Sequence, residues 1–254
     1  MTDIEMLDLC FALAREAGDA ILAIRARGFE TTFKGDSSPV TEADHAAEAI
    51  IEQGLRRATP QIPVVAEEAM ALGAGTIGGD VFWLVDPLDG TKEFAAGRDD
   101  FAVCIGLVRN GRPVLGVVGA PAHNAVYGGI VGQGAVRRDA SGEHSITTRT
   151  PPDEGVTVIA SRSSGKHPRV APYLAKFQVA HWIDMGSALK FCRVAEGAAD
   201  LYPRFGRTME WDTAAAQAVL EAAGGAVLDA ETGAALGYGK HGFENPHFVA
   251  VGRA

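Results

Sequence analysis

The chain has 254 residues, is 47% hydrophobic and carries a formal net charge of −9. This is ample for a sizeable core in one large or two small domains, and too acidic for general nucleic-acid binding. No apolar run approaches the ~18 residues of a membrane-spanning helix, and no His-Glu-x-x-His or Cys-x-x-Cys spacing points to zinc or a dithiol.

The start, Met1-Thr2-Asp3-Ile4-Glu5-Met6, lacks the basic region of a signal peptide. The cysteines Cys10, Cys104 and Cys192 are far apart in apolar surroundings and read as reduced core thiols. Both features fit a cytoplasmic protein without an integral membrane segment; loose association with the inner membrane stays open, as does the oligomeric state.

Along the chain, Ile4, Leu7, Phe11, Ala14, Ile21 and Ile24 have helical spacing, with Thr2 or Asp3 as cap and Gly28 as stop. Residues 31–33 read as a strand, 35–39 as a loop and 41–58 as a second helix stopped before Pro60. Strands follow at 62–66 and 81–85. Residues 101–108 and 114–118 form a predicted hairpin around Asn110-Gly111, with a further strand at 125–131.

The polar stretch from Arg137 to Gly155 reads as the domain boundary. After it, strands are predicted at 156–160, 178–183, 200–204, 226–228 and 247–251. Helices are predicted near 168–176, from Ser187 to about Glu196 and from Trp211 to Ala223. The first half is thus α+β and the second α/β, to be packed in layers.

Chemistry concentrates in Asp86-Pro87-Leu88-Asp89-Gly90-Thr91, directly after the apolar run Val81–Val85. A strand leads into two carboxylates three positions apart, with a proline to set the turn and a glycine to let the backbone come close. That arrangement aims hard oxygen ligands at a divalent cation and a phosphate together. Glu67-Glu68, Asp212 and Asp44 add further acids, and the set reads as a magnesium-dependent phosphatase site.

Each acid also has a plainer role: Asp86 in a turn, Glu67-Glu68 at a solvated strand end, Asp212 in a helix's first turn, Asp44 in a capping box with Thr41. Convergence of Glu67, Asp86, Asp89 and Asp212 would change that balance. Six pairs of unit charges ~5–6 Å apart would cost on the order of 15–20 kcal/mol at an effective dielectric near 20. A fold with ~5–15 kcal/mol of net stability cannot hold them ionised and bare. All-oxygen ligands favour magnesium, manganese or calcium over zinc.

The pattern Glu67-Glu68 … Asp86-Pro87-Leu88-Asp89-Gly90-Thr91 … Trp211-Asp212-x-x-Ala215 resembles the signature of the lithium-sensitive, magnesium-dependent phosphatases of the inositol monophosphatase family. The resemblance runs from Lys34 and Val40-Thr41-x-x-Asp44 to Phe243-x-Asn245-Pro246-x-Phe248. Within the family, Asp89–Phe94, Ser161-Arg162-Ser163, Gly186–Cys192 and Tyr202–Gly206 are most similar to the bacterial 3'(2'),5'-bisphosphate nucleotidases. Ser164 departs from the histidine of many relatives.

The resemblance implies a layered αβαβα sandwich. Residues 1–140 would form the α+β metal-site domain, and 141–254 an α/β domain contributing Asp212 and a second phosphate site. It implies two or three magnesium ions. Glu67, Asp86 and the Leu88 carbonyl would hold one, and Asp86, Asp89 and Asp212 a second. A weaker third would share Glu67. Thr91, backed by Asp44, would activate the water. Gly90 and Thr91 would offer N–H groups to the phosphate, and Glu67, Leu88, Asp89 and Asp212 would also touch substrate.

For a second phosphate, Gly186-Ser187 reads as a helix start, Lys190 lies one turn on and Arg204 follows in the next strand. Inositol phosphatases usually carry a glutamate near Arg204. Ser187 could be an ordinary cap and Lys190 a solvated residue, but with Arg204 they favour a phosphate clamp. The expected small-molecule substrate is adenosine 3',5'-bisphosphate, giving AMP and phosphate, with adenosine 3'-phosphate 5'-phosphosulfate as a second. The rivals are an inositol-1-phosphate or other polyol phosphatase and a non-catalytic regulator on the same fold.

Overall fold

The computed structural model describes residues 1–33, 39–71, 79–162 and 166–253; Lys34, the loop expected at 35–39 except Pro39, Ser163 and Ser164 lie outside them. Helix α1 (Asp3–Arg27) opens on a capping box, with Thr2 and Glu5 each accepting the other's backbone N–H. Gly28 ends it at φ +83°. Strands β1 (Thr31–Phe33) and β2 (Pro39–Thr41) pair antiparallel and lead into α2 (Glu42–Ala58).

Seven strands form the larger sheet: β3 (Val64–Ala66), β4 (Val81–Asp89), β5 (Ala102–Arg109), β6 (Arg112–Ala120), β7 (Ala125–Ile130), β8 (Gly134–Asp139) and β9 (Gly142–Ile146), adjacent in that order. Only β3–β4 is parallel; the rest is an antiparallel meander. The β5–β6 turn is Asn110-Gly111, both at positive φ, as the sequence predicts. Two short helices interrupt the strands, α3 (Glu67–Ala71) after β3 and α4 (Thr91–Ala95) after β4.

The smaller sheet comprises β10 (Val156–Ala160), β11 (Val179–Asp184), β12 (Leu201–Arg204), β13 (Ala226–Asp229) and β14 (Phe248–Val251), in the order β11-β10-β12-β14-β13. Its helices are α5 (Val170–Leu174), α6 (Leu189–Ala195) and α7 (Ala214–Ala222). The layers run α1/α2, larger sheet, α6/α7, smaller sheet, α5, which is the expected αβαβα sandwich.

Three expectations change. The stretch from Arg137 to Gly155 is not only connector, because β8 and β9 carry the larger sheet to Ile146. This hairpin is polar because it closes the sheet at a solvated edge, with most of β9 exposed. The helix expected from Ser187 starts at Leu189, because Ser187 sits at φ +52°. The helix expected from Trp211 begins as a 3₁₀ turn, Glu210–Asp212, and becomes α-helical at Ala214.

Helix α7 lies unusually close to the larger sheet, over glycines. A Cβ on Gly116 would stand 2.1 Å from the Ala215 carbonyl oxygen, and one on Gly106 2.7 Å from the Ala215 nitrogen. Backbone would have to move, so overpacking here is costly. Since α7 follows directly on the turn carrying Asp212, its depth sets how far that turn reaches toward β4. Gly116→Ala should therefore destabilise by about 1–3 kcal/mol or more, read by urea unfolding. It should lower activity more than an equally destabilising change at the Asp3–Arg109 ion pair.

Candidate active site

The site is built where β4 leaves its register. Pairing with β5 holds down to Asp86 opposite Cys104 and resumes with Asp89 opposite Ala102, so two residues on β4, Pro87 and Leu88, stand against one on β5, Val103. This bulge is made at Pro87, which has no N–H to lose from the ladder. Asp86 is 2% exposed, and its Oδ1 accepts the Leu88 N–H at 3.0 Å. Gly90 follows at φ +94°, where a Cβ would meet the Asp100 carbonyl oxygen at 2.9 Å.

Helix α3 brings Glu67 to Asp86 from β3, and the 3₁₀ turn brings Asp212 from the other half of the chain. Carboxylate oxygens of Glu67, Asp86 and Asp212 lie within 4.8 Å of one another. Asp89 is outside that group. Its Oδ2 accepts the Ala188 N–H, tying the end of β4 to the loop before α6.

Asp44 completes the predicted capping box and also meets Thr91. Its Oδ2 accepts the Thr41 N–H (2.7 Å) and hydroxyl (2.8 Å), completing the cap of α2. Its Oδ1 accepts from Thr91 Oγ1 at 3.0 Å. Thr91 Oγ1 also lies 3.0 Å from the Leu88 carbonyl oxygen, a second acceptor for the same proton. Burial raises the Asp44 pKa, outweighing these hydrogen bonds.

Lys190 is 3% exposed, not the solvated residue of the plainer reading. Its ammonium donates to the Ser187 carbonyl and stands 5.0 Å from the Tyr202 ring centroid. Burial pulls its pKa down to about 8, with Asp89 opposing and Arg204 reinforcing the shift. The Arg204 guanidinium donates to Ser161 Oγ (3.4 Å) and to the Arg207 carbonyl (3.1 Å). Glu67, Asp86, Leu88, Asp89, Gly90, Thr91, Ser187, Lys190, Arg204 and Asp212 all face one cavity of about 820 Å³, while Asp44 stands behind Thr91.

Several residues brace the site without a role assigned to them from the sequence. Glu210 is fully buried and accepts from the Gly239 N–H (2.7 Å), the Lys240 N–H (2.9 Å) and the Lys240 ammonium (2.7 Å). Asn245 Nδ2 donates to the Met209 carbonyl at 2.7 Å and to Thr213 Oγ1 at 3.0 Å. Together they pin the turn carrying Asp212. Adjacency of Glu210 to Trp211-Asp212 was the sole hint available. Arg162 pairs with Asp100 (2.7 Å), whose carboxylate also accepts the Gly186 N–H, and so locks the same loop to the region after α4.

Comparison with known proteins places this arrangement. The profile described as the inositol monophosphatase family matches residues 4–250. The chain belongs to the inositol monophosphatase family. A protein named 3'(2'),5'-bisphosphate nucleotidase CysQ from Escherichia coli (strain K12) is 43% identical over 248 residues, 96% of this chain and 98% of that one. Another of that name from Haemophilus influenzae is 32% identical, covering 97% and 93%. Among solved structures, CysQ from Bacteroides thetaiotaomicron superposes with a TM-score of 0.84 at 34% identity, covering 98% of each chain. An inositol monophosphatase from Anabaena gives 0.78 at 28% identity, covering 99% of this chain and 92% of that one.

Inositol monophosphatase family members are generally metal-dependent phosphatases, and the donor set fits a hard cation. Two unit charges 4.8 Å apart repel by about 3–4 kcal/mol at an effective dielectric near 20. Three such pairs approach the whole net stability of a domain, about 5–15 kcal/mol. Without a cation, burial and mutual repulsion raise the pKa values of the aspartates. Burial, then Glu67, Asp89 and Asp212, push Asp86 well up. Burial, then Asp89 and Glu67, take Asp212 to about 8. Burial takes Asp89 to about 6, partly offset by Lys190 and the Ala188 N–H.

A raised carboxyl pKa stabilises the fold fully below the unfolded value, and that contribution is lost as pH rises through the folded value. In EDTA the melting temperature should therefore fall between pH 4 and pH 8, the window set by the Asp89 and Asp212 shifts. Excess magnesium should restore it, by more at pH 8 than at pH 5. Equal stability in EDTA at pH 5 and pH 8 would show that these acids are not strained.

Proposed function

We propose that this chain is a magnesium-dependent 3'(2'),5'-bisphosphate nucleotidase, hydrolysing adenosine 3',5'-bisphosphate to AMP and phosphate. Adenosine 3'-phosphate 5'-phosphosulfate is a second substrate, yielding the 5'-phosphosulfate. The observation that carries the reading is the buried cation Lys190, beside Arg204, in the same cavity as the carboxylate cluster. A monophosphate of a neutral polyol would bring these cations no second anion, whereas a second phosphate accepts charge-assisted hydrogen bonds from both. The nucleotidase relatives, similar over nearly their full length, point the same way.

In this reading Glu67, Asp86 and the Leu88 carbonyl would hold one magnesium ion. Asp86, Asp89 and Asp212 would hold a second, and Glu67 would share a weaker third. The ions supply charge neutralisation at the phosphate and a lowered pKa for the attacking water. The protein does the rest. Thr91 directs its proton toward Asp44, so its lone pairs are free to accept a proton from that water. Burial makes Asp44 the better proton acceptor behind it. The Gly90 and Thr91 N–H groups, at the start of α4, orient the phosphate. Lys190, held by the Ser187 carbonyl, and Arg204 fix the other phosphate and hence the angle of attack.

Arg204→Ala should lower kcat/KM for adenosine 3',5'-bisphosphate roughly ten- to hundredfold, as expected for a charge-assisted hydrogen bond of ~1.5–3 kcal/mol. The loss on 3'-AMP should be far smaller. Lys190→Met should act in the same direction, and the double variant should lose less than the sum, because both cations would hold one phosphate. Steady-state phosphate release with magnesium and in EDTA tests this. Equal losses on the two substrates would remove the reason for preferring a bisphosphate over a polyol phosphate.

A further inference from the structure

Helix α2 carries two carboxylates one turn apart, Asp44 and Glu48, which therefore project from one side of the helix. Asp44 holds Thr41 and Thr91. Glu48 reaches in a different direction. Its Oε2 accepts the Glu68 N–H at 2.9 Å, and the carboxylate also takes a backbone hydrogen bond from Ala69.

These two N–H groups belong to the first turn of α3, which has five residues. The leading N–H groups of a helix have no partner inside it, and a side chain just before the helix normally supplies one. Here the preceding residue is Ala66, which has no acceptor in its side chain. The cap comes instead from another helix, twenty residues earlier in the chain. The pairing is electrostatically unfavourable at first sight, since Glu48 faces Glu52 and Glu68. What it secures is the orientation of the turn that aims Glu67 at Asp86 and Asp212.

We infer that Glu48 is a positioning residue for Glu67: by capping α3 from α2 it sets the direction of the Glu67 carboxylate in the metal-binding cluster. One helix then fixes both the Asp44–Thr91 pair and the nearest turn of the metal cluster. This rests on Glu67 being a metal ligand. The role predicted is in metal binding rather than in the chemical step, because Glu48 touches neither the cavity nor Thr91.

The test compares full-length wild type with Glu48→Ala and Glu48→Gln. The readouts are magnesium-dependent thermal stabilisation and the magnesium concentration for half-maximal turnover. Glu48→Ala should raise that concentration about tenfold, equivalent to about 1.4 kcal/mol, and shrink the thermal shift correspondingly. Turnover at saturating magnesium should stay within about threefold. Glu48→Gln keeps an oxygen for the same N–H groups and should stay near wild type in both.

If the alanine variant does not fold, Glu48→Asp substitutes for it: charge kept, reach shortened by a methylene, same rise expected. Asp3→Ala, which breaks the ion pair with Arg109, controls for lost stability and should leave the magnesium requirement unchanged. An unchanged magnesium requirement in Glu48→Ala, or equal rises in the Ala and Gln variants, would overturn the inference, the latter because charge alone would then explain the effect. Absence of any magnesium shift in wild type would instead overturn the metal reading, and this inference with it.

Discussion

The constraint on which the rest of the molecule depends is the mutual repulsion of Glu67, Asp86 and Asp212, whose oxygens approach within 4.8 Å. Left to relax, such groups would swing apart, and the backbone prevents it. Asp86 gives one oxygen to the Leu88 N–H and Asp212 one to the Met209 N–H. Asp89, beside them, gives one to the Ala188 N–H. Each of these bonds is local or spans a loop junction, and each engages one carboxylate oxygen of a residue that lines the cavity. The fold thus holds the acids by their backs, the arrangement needed if a cation is to meet a prepared set of ligands rather than assemble one.

The bracing comes from both halves of the chain. The bulge in β4 and the capping of α3 belong to the first, while the Glu210–Lys240 pair and Asn245 belong to the second. The two meet through glycine: Gly106 and Gly116 let α7 settle onto the larger sheet, and Gly90 lies against Ser187 and the Asp100 carbonyl. The close approach has a functional correlate. Asp89 feels Glu67 on one side and Lys190 and Arg204 on the other, so the acidic and cationic poles of the cavity share a boundary one carboxylate wide.

Much of this was legible in the sequence. Asn110-Gly111 demanded positive φ twice, so the hairpin was fixed by steric necessity. The Thr2–Glu5 and Thr41–Asp44 boxes are contiguous signals with one geometric meaning. Asp86-Pro87-Leu88-Asp89-Gly90-Thr91 announced a turn with ligands because proline, glycine and acids each restrict the backbone or the chemistry. What stayed hidden depends on distant contacts. The β8–β9 hairpin reads as linker, since an edge strand needs no apolar face. Ser187 at φ +52° is imposed by its surroundings, not by its own preference. Glu48 and Glu210 accept from backbone 20 to 30 residues away, and no periodicity encodes such a distance.

The proposed phosphate clamp shows why lysine and arginine are not interchangeable there. Lys190 is enclosed and tethered to the Ser187 carbonyl, with Tyr202 beneath it, so little side-chain freedom remains to be lost when an anion arrives. Burial weakens its hold on the proton, and a neighbouring phosphate would strengthen it again. Arg204 spreads its donors between Ser161 and the Arg207 carbonyl. One cation is a compact point charge fixed in place; the other presents a planar fork of donors. Such a pair recognises a phosphate ester by position as well as by charge, which is what separating two phosphates on one sugar requires.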